Sequence, residues 1–363
     1  MKYIFFLSGD YAKLGKEEVI SLFDVNHSKF TDRLVIADLD NKKEFVKTFR
    51  RMALAKSVYR LLFECKTSEL IGKMKSFGWN SAYKSSFCLR IYDFNDKPNN
   101  GKNNKKNQNK KSLTASFSEK KLAGYVWRSV QNPKVSLDSP KTLIQLFIIK
   151  DKSYCGLLVY ANNEDFESRK SHLRPFPHPS SLHPKVARAL VNITGIKENE
   201  ILLDPFCGTG GFLIESGLMN IKSIGYDIDK IMINGCIENL RHYHIKKYRI
   251  KRQNALKISD KFGYAVTDLP YGLNSNAMAM YEKDRKKHRI NKKIEAKDFI
   301  KNLEKFYLKF LKNLRKKLKK KAVIVFPSYV NYKKLLKQSK FRIETEFSIY
   351  VHRSLTRKIV KVR

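Results

Sequence analysis

Acidic residues are scarce in this chain. Against 74 Lys and Arg it carries only 34 Asp and Glu in 363 residues, a formal net charge of +40. Such an excess opposes compaction through self-repulsion and calls for a polyanionic partner, most simply a nucleic acid. Long apolar runs are missing as well. None approaches the ~20 residues that span a bilayer, which removes a membrane as the polyanion. Cysteine is sparse, and Cys65, Cys88, Cys155, Cys207 and Cys236 show no C-x-x-C spacing. A reduced, cytoplasmic protein without a metal cluster is the expectation. The apolar core of residues 1–7 is too short for a signal peptide and is soon followed by Asp10, Glu17 and Glu18, so it reads as a first strand.

What is present centres on Asp204-Pro205-Phe206-Cys207-Gly208-Thr209-Gly210-Gly211. Residues 201–203 form a short apolar run, so Asp204 sits where a buried strand ends, and the glycines open a helix over 212–217. Small residues let main-chain N–H groups approach a ligand, while Asp204 offers a carboxylate to a cationic one. Neither the dinucleotide spacing G-x-G-x-x-G nor a Lys-Ser/Thr after the glycines is present. A second strand over 223–226 ends at Asp227, about twenty residues past the glycines, where an acidic side chain can hold two ribose hydroxyls and Ile228 can pack on a base. Asp229 reads as the cap of the helix over 231–243. A third strand, 248–252, closes at Gln253-Asn254-Ala255.

A fourth strand, 264–267, delivers Asp268-Leu269-Pro270-Tyr271. The exocyclic amine of a purine is a poor nucleophile because its lone pair is delocalised into the ring. Two acceptors, the Asp268 carboxylate and the Leu269 carbonyl, can hold its hydrogens and turn that lone pair toward an electrophile. Pro270 fixes the turn, and Tyr271 offers a flat face on which an extruded base can stack.

Ahead of these motifs, strands over 3–7, 34–39 and 59–64 alternate with helices over 17–23 and 44–56, an α+β (ferredoxin-like) unit spanning 1–65 whose carboxylates are expected on polar helix faces. A second unit, 66–160, has strands over 85–92 and 143–149 and a helix over 122–130, interrupted by the lysine- and asparagine-rich segment 95–112, read as a disordered loop. Residues 161–178 read as a stiff polar linker because of Arg174-Pro175-Phe176-Pro177-His178-Pro179. A helix follows over 180–192, with His178 and His183 read as local cap and packing residues. Residues 273–294 form a basic loop, and 299–318 an amphipathic helix. Strands over 322–326 and 341–347 flank a short helix, 332–336, and 349–362 supplies a seventh, antiparallel strand whose arginines carry no assigned role.

D-P-F-C-G-T-G-G followed by D-L-P-Y resembles the S-adenosylmethionine-dependent amino-methyltransferases that modify exocyclic base nitrogens. R-P-F-P-H-P-S-S-L-H-P-K-V-A-R-A-L-V-N and V-H-R-S-L-T-R-K-I-V-K-V resemble the corresponding parts of archaeal tRNA (guanine-10-N2)-methyltransferases. F-C-L-R-I, N-P-K-V-S-L-D-S-P and Y-C-G-L-L resemble a THUMP domain, an RNA-binding module. The resemblance implies a class I, Rossmann-like α/β methyltransferase domain over 179–363 behind a THUMP-containing RNA-binding region. It also implies S-adenosylmethionine held by Asp204, Phe206, Gly208, Thr209, Gly210, Asp227, Ile228, Asn254 and Ala255, with Asn254 and Ala255 at the adenine edge. Asp268, Leu269, Pro270 and Tyr271 would carry catalysis on tRNA, at guanine 10 with one and then two methyl groups, with no obligate protein partner. The usual motif is D-P-P-Y or N-P-P-Y, so Leu269 keeps the carbonyl and gives up some stiffness. Three alternatives remain open on sequence alone: an enzyme of the same fold acting on guanine N2 at another tRNA or ribosomal site or on adenine N6, a non-catalytic RNA-binding protein, and a basic structural RNA-packaging protein.

Overall fold

The computed structural model describes residues 1–39, 45–95, 117–179, 181–271, 292–353 and 355–363. All but Asn95 of the expected loop at 95–112, and most of that at 273–294, lie outside them. The chain folds into two compact units, with 1–12, 25–50 and 55–163 in the first, and 13–24, 51–54 and 164–363 in the second. No helix among the described residues is long and apolar enough to cross a membrane.

The first unit contains β1 (Lys2–Leu7), β2 (Ser28–Thr31), β3 (Leu34–Asp38), α2 (Phe45–Arg51), β4 (Ala55–Lys66), α3 (Leu70–Ser76), β5 (Phe87–Asp93), α4 (Glu119–Ser129), β6 (Thr142–Ile149) and β7 (Lys152–Ala161); α1 (Ala12–Phe23) falls in the second. The boundary expected near residue 65 is corrected. Both front segments share one seven-stranded sheet, ordered β2-β3-β1-β4-β7-β6-β5. The reason is β4, a 12-residue strand that pairs with β1 on one side and with β7 on the other. On one face Leu70 and Met74 of α3 and Leu122 and Val126 of α4 pack with Trp79 and Phe87.

The second unit has α5 (Pro184–Ile193), β8 (Ile201–Asp204), α6 (Gly211–Leu218), β9 (Lys222–Asp227), α7 (Lys230–His242), β10 (Tyr248–Arg252), β11 (Phe262–Asp268), α8 (Lys292–Lys317), β12 (Leu318–Pro327), α9 (Tyr332–Gln338), β13 (Ile343–His352) and β14 (Leu355–Val362). The sheet order is β10-β9-β8-β11-β12-β14-β13, parallel up to β12 and antiparallel at the last two pairings. This is the Rossmann-like methyltransferase arrangement. The stretch read as one strand over 349–362 contains a turn between His352 and Leu355 and is split between β13 and β14. The connection reverses direction between β8 and β11, and ligands in such sheets bind outside the carboxyl ends at that switch point.

Three expectations about the front and the linker are overturned by burial. Glu18 is fully buried on α1; its carboxylate accepts hydrogen bonds from the N–H groups of Ala53 and Leu54 and from Asn192 of α5, each at 2.8 Å. Those two N–H groups are taken by a side chain, so α2 ends at Arg51 rather than at residue 56. Glu17 is also buried, 2.9 Å from Lys361 of β14. The segment 161–178 is not a linker from residue 164 onward. Arg169 is buried, as is Arg188 of α5, and both pair with the fully buried Glu215 of α6, at 2.9 and 2.8 Å, and with Glu164, at 2.9 and 3.1 Å. A closed ring of two guanidinium and two carboxylate groups pins this segment onto the sheet's helical layer.

Candidate active site

Asp204 and Asp268 terminate β8 and β11, adjacent parallel strands at the switch point. They open into one cavity of about 700 Å³ whose wall includes Gly208 and Tyr271. The two motifs, about sixty residues apart in the chain, therefore share a single cleft. Phe206, Thr209, Asp227, Ile228, Asn254, Ala255, Leu269 and Pro270 line it too. Gly210 stands behind the wall instead. Its φ of 88° opens α6 in a left-handed conformation, and a Cβ there would lie 2.8 Å from Cys236 Sγ. Glycine is needed for the backbone turn and the close approach of α7, both steric reasons.

The glycine-rich turn is held by its neighbours. Asp227 accepts the Gly208 N–H at 3.0 Å on one oxygen and the Asp229 N–H at 2.9 Å on the other, so the carboxylate at the end of β9 fixes the turn after β8. Asp204 accepts the Phe206 N–H at 3.2 Å. The Phe206 ring packs edge-on against Phe310 of α8, centroids 4.9 Å apart. Asp229 caps α7 by accepting from the Ile231 N–H, as its position implied. Asn254 lines the cavity while its side-chain carbonyl accepts the Leu256 N–H at 2.9 Å, capping a 3₁₀ turn.

The opposite wall is a turn braced by tyrosines. Leu269 is buried, and its N–H reaches the Val325 carbonyl of β12 at 3.2 Å. Tyr307 of α8 donates to the Pro270 carbonyl at 2.6 Å, and the Tyr329 hydroxyl donates to the Tyr271 carbonyl. The Tyr271 hydroxyl donates to the Asp268 carboxylate, while Arg357 of β14 stands 3.5 Å from the other Asp268 oxygen. Sequence reasoning missed Tyr307, Tyr329 and Arg357. Their ring and guanidinium contacts come from elements that the local pattern marks only as core helix, connection and strand.

The third wall is the segment before α5. Phe176 exchanges two 3.0 Å hydrogen bonds with the fully buried Asn239 of α7, whose amide also donates to the Thr209 carbonyl at 3.0 Å. Ser171 Oγ donates to the His178 carbonyl at 2.6 Å and accepts its N–H at 3.0 Å, placing His178 and Pro179 on the cavity wall. His183 is the N-cap of α5, accepting from the Lys185 N–H, which agrees with its reading as a cap. Gly235 of α7 lies against the Phe176 ring, with no room for a Cβ. It and Asn239 carried no sequence signal, since a mid-helix Asn or Gly acquires meaning only from what lies against it.

Electrostatically the cavity is acidic inside a basic protein. Burial pushes the Asp204 carboxyl up to about 8, with the nearby Asp227 and Asp268 adding to the rise. Burial also raises Asp268 to about 7, against the opposing pull of Arg357, and raises Asp227. Carboxyls crowded in this way favour a cationic ligand, because a positive charge between them relieves both the desolvation and their mutual repulsion. The donor set thus fits a sulfonium cofactor with ribose hydroxyls and a purine.

The family model described as "RMKL-like, methyltransferase domain" matches residues 171–283. A tRNA (guanine(10)-N2)-dimethyltransferase of Methanothermobacter thermautotrophicus is 31% identical over 318 residues, covering 85% of this chain and 82% of that protein. Proteins of the same name from Methanocaldococcus jannaschii and Pyrococcus abyssi are 31% and 28% identical; the first match covers 76% of this chain and 84% of the relative, the second 95% and 94%. With that identity maintained across most of both chains, this protein belongs to the tRNA (guanine(10)-N2)-dimethyltransferase family.

Proposed function

We propose that the protein transfers methyl groups from S-adenosylmethionine to the exocyclic N2 of guanine 10 in tRNA, first one and then a second, in the cytoplasm. The observation that carries this reading is the single cavity onto which both Gly208 and Tyr271 open. The cofactor, when bound, supplies an electrophilic methyl on a sulfonium. Asp204 faces that cation, Asp227 holds the ribose hydroxyls with its remaining lone pairs, Ile228 packs on adenine, and Asn254 and the Ala255 N–H meet its edge. Phe206, Gly208 and Thr209 shape the wall around the methionine part.

Asp268 and the Leu269 carbonyl accept the amine hydrogens of guanine and orient its lone pair, and Pro270 keeps both acceptors convergent. Tyr271 stacks on the extruded base. Transfer then needs alignment more than a strong base, and the product proton leaves through Asp268 or to water. The first unit is read as the THUMP-containing RNA grip, engaging tRNA through phosphates and shape, with no obligate protein partner.

Unmodified tRNA incubated with the protein and cofactor should yield N2-methylguanosine and then N2,N2-dimethylguanosine at position 10 by nucleoside mass spectrometry and site mapping. Asp268→Ala should abolish transfer with tRNA affinity nearly unchanged. Methyl groups found only on adenine N6 or only on ribosomal RNA would overturn the reading, as would full activity of Asp268→Ala.

A further inference from the structure

Arg357 lies on β14, 86 residues beyond Tyr271, and sequence reasoning assigned it no role. Its side chain is 11% exposed. Its Nε donates to the Tyr271 hydroxyl at 3.3 Å and stands 3.5 Å from Asp268, and its guanidinium lies over the Tyr271 ring, 5.7 Å from the centroid. One side chain thus touches the carboxylate, the hydroxyl and one ring face of the turn that receives the target base. We infer that Arg357 is a positioning residue for methyl transfer: it keeps the Asp268 carboxylate ionised and braces one face of Tyr271, leaving the other face for the guanine.

This rests on the proposed reading of Asp268 as the acceptor of the amine hydrogens. Among the described residues, the groups that act on Asp268 or lie beside it are few. They are Arg357 from β14, Asp204 from the end of β8, Tyr271 of its own turn, Tyr307 from α8, and Tyr329 from the segment after β12. Arg357 is the one cation in that set, so no other described residue replaces its charge. An adjacent guanidinium lowers a carboxyl by ~1–3 pH units. Its planar fork also stacks on an aromatic ring as a lysine ammonium does not. Burial raises Asp268 to about 7 even with Arg357 opposing it, so loss of Arg357 leaves the carboxyl mostly protonated at neutral pH. One oxygen is then turned into a donor, and the charge that strengthens its acceptor role is gone.

The test is the pH dependence of single-turnover transfer at saturating cofactor and tRNA for the intact protein, Arg357→Gln and Arg357→Lys. The intact protein should lose rate below about pH 7, tenfold per unit. In Arg357→Gln that limb should move up by a unit or more, lowering the rate at pH 7 at least about fivefold while the gap narrows toward pH 9, with cofactor affinity unchanged. Arg357→Lys should return the limb toward its original position. Should Arg357→Gln fail to fold, Arg357→Met, which keeps the aliphatic stem, carries the same expectation. A variant profile parallel to that of the intact protein, whether lowered at every pH or not lowered, would overturn the role. Absence of any guanine-N2 transfer by the intact protein, or an active Asp268→Ala, would instead sink the underlying functional reading.

Discussion

Gly235→Ala should unseat the segment that forms the third wall of the cavity. A Cβ at Gly235 would lie 2.2, 2.4 and 2.7 Å from three atoms of the Phe176 ring. The segment cannot simply shift away, because both polar groups of the Phe176 backbone are tied to Asn239. Two effects compete. Alanine in a helix interior gains about 0.8–1 kcal/mol over glycine. Overpacking costs ~1–3 kcal/mol, and losing the two Asn239 bonds adds ~0.5–1.5 kcal/mol each. The clash wins by about 3 kcal/mol, which at ~2–4 °C per kcal/mol lowers Tm by roughly 6–12 °C. Asn239 also holds the Thr209 carbonyl, so cofactor affinity should fall about tenfold as well. Thermal unfolding and calorimetric titration measure both. Phe176→Ala in the Gly235→Ala background should restore part of the loss, a coupling visible in a double-mutant cycle. A Gly235→Ala protein that melts at or above the parent and binds cofactor equally well would refute the steric argument.

Glu215→Ala should cost ~3–5 kcal/mol, because it leaves Arg169 and Arg188 buried beside one remaining carboxylate; a near-neutral denaturation midpoint would contradict the ring. Asp227→Ala should weaken cofactor binding and leave tRNA affinity intact, since it removes the acceptor that fixes Gly208; unaltered cofactor affinity would reassign that contact. Asp204 is raised to about 8 in the fold, so the folded state binds the extra proton between its unfolded value near 4 and about 8. That contribution to stability is present at low pH and is lost as pH rises through this window. The ligand-free protein should therefore melt lower at pH 8.5 than at pH 6.5, with stabilisation by the cofactor growing over the same range. Asp204→Asn should flatten the slope, and an unchanged slope would remove Asp204 as its source.

Much of the second unit was legible because its signals are local. A short apolar strand, a carboxylate at its end and a glycine turn opening a helix are adjacent in the chain, and strands ending in a carboxylate recur at β8, β9 and β11. The cap at Asp229 and the run of Asp268 to Tyr271 belong to the same class. The two front segments looked separate because each has its own helix-strand alternation, whereas strand pairing through β4 made them one sheet.

What the chain alone determined, then, is which residues end strands and open helices, since backbone conformation and side-chain periodicity act over a few neighbours. Only the tertiary structure decided where charge goes when water is withdrawn. Glu18 left the polar face of its helix to stop α2, Glu215 gathered two arginines from segments far apart, and Arg357 came to rest against Asp268. A buried carboxylate must find partners wherever packing brings them, and that search has no period or spacing to read in advance.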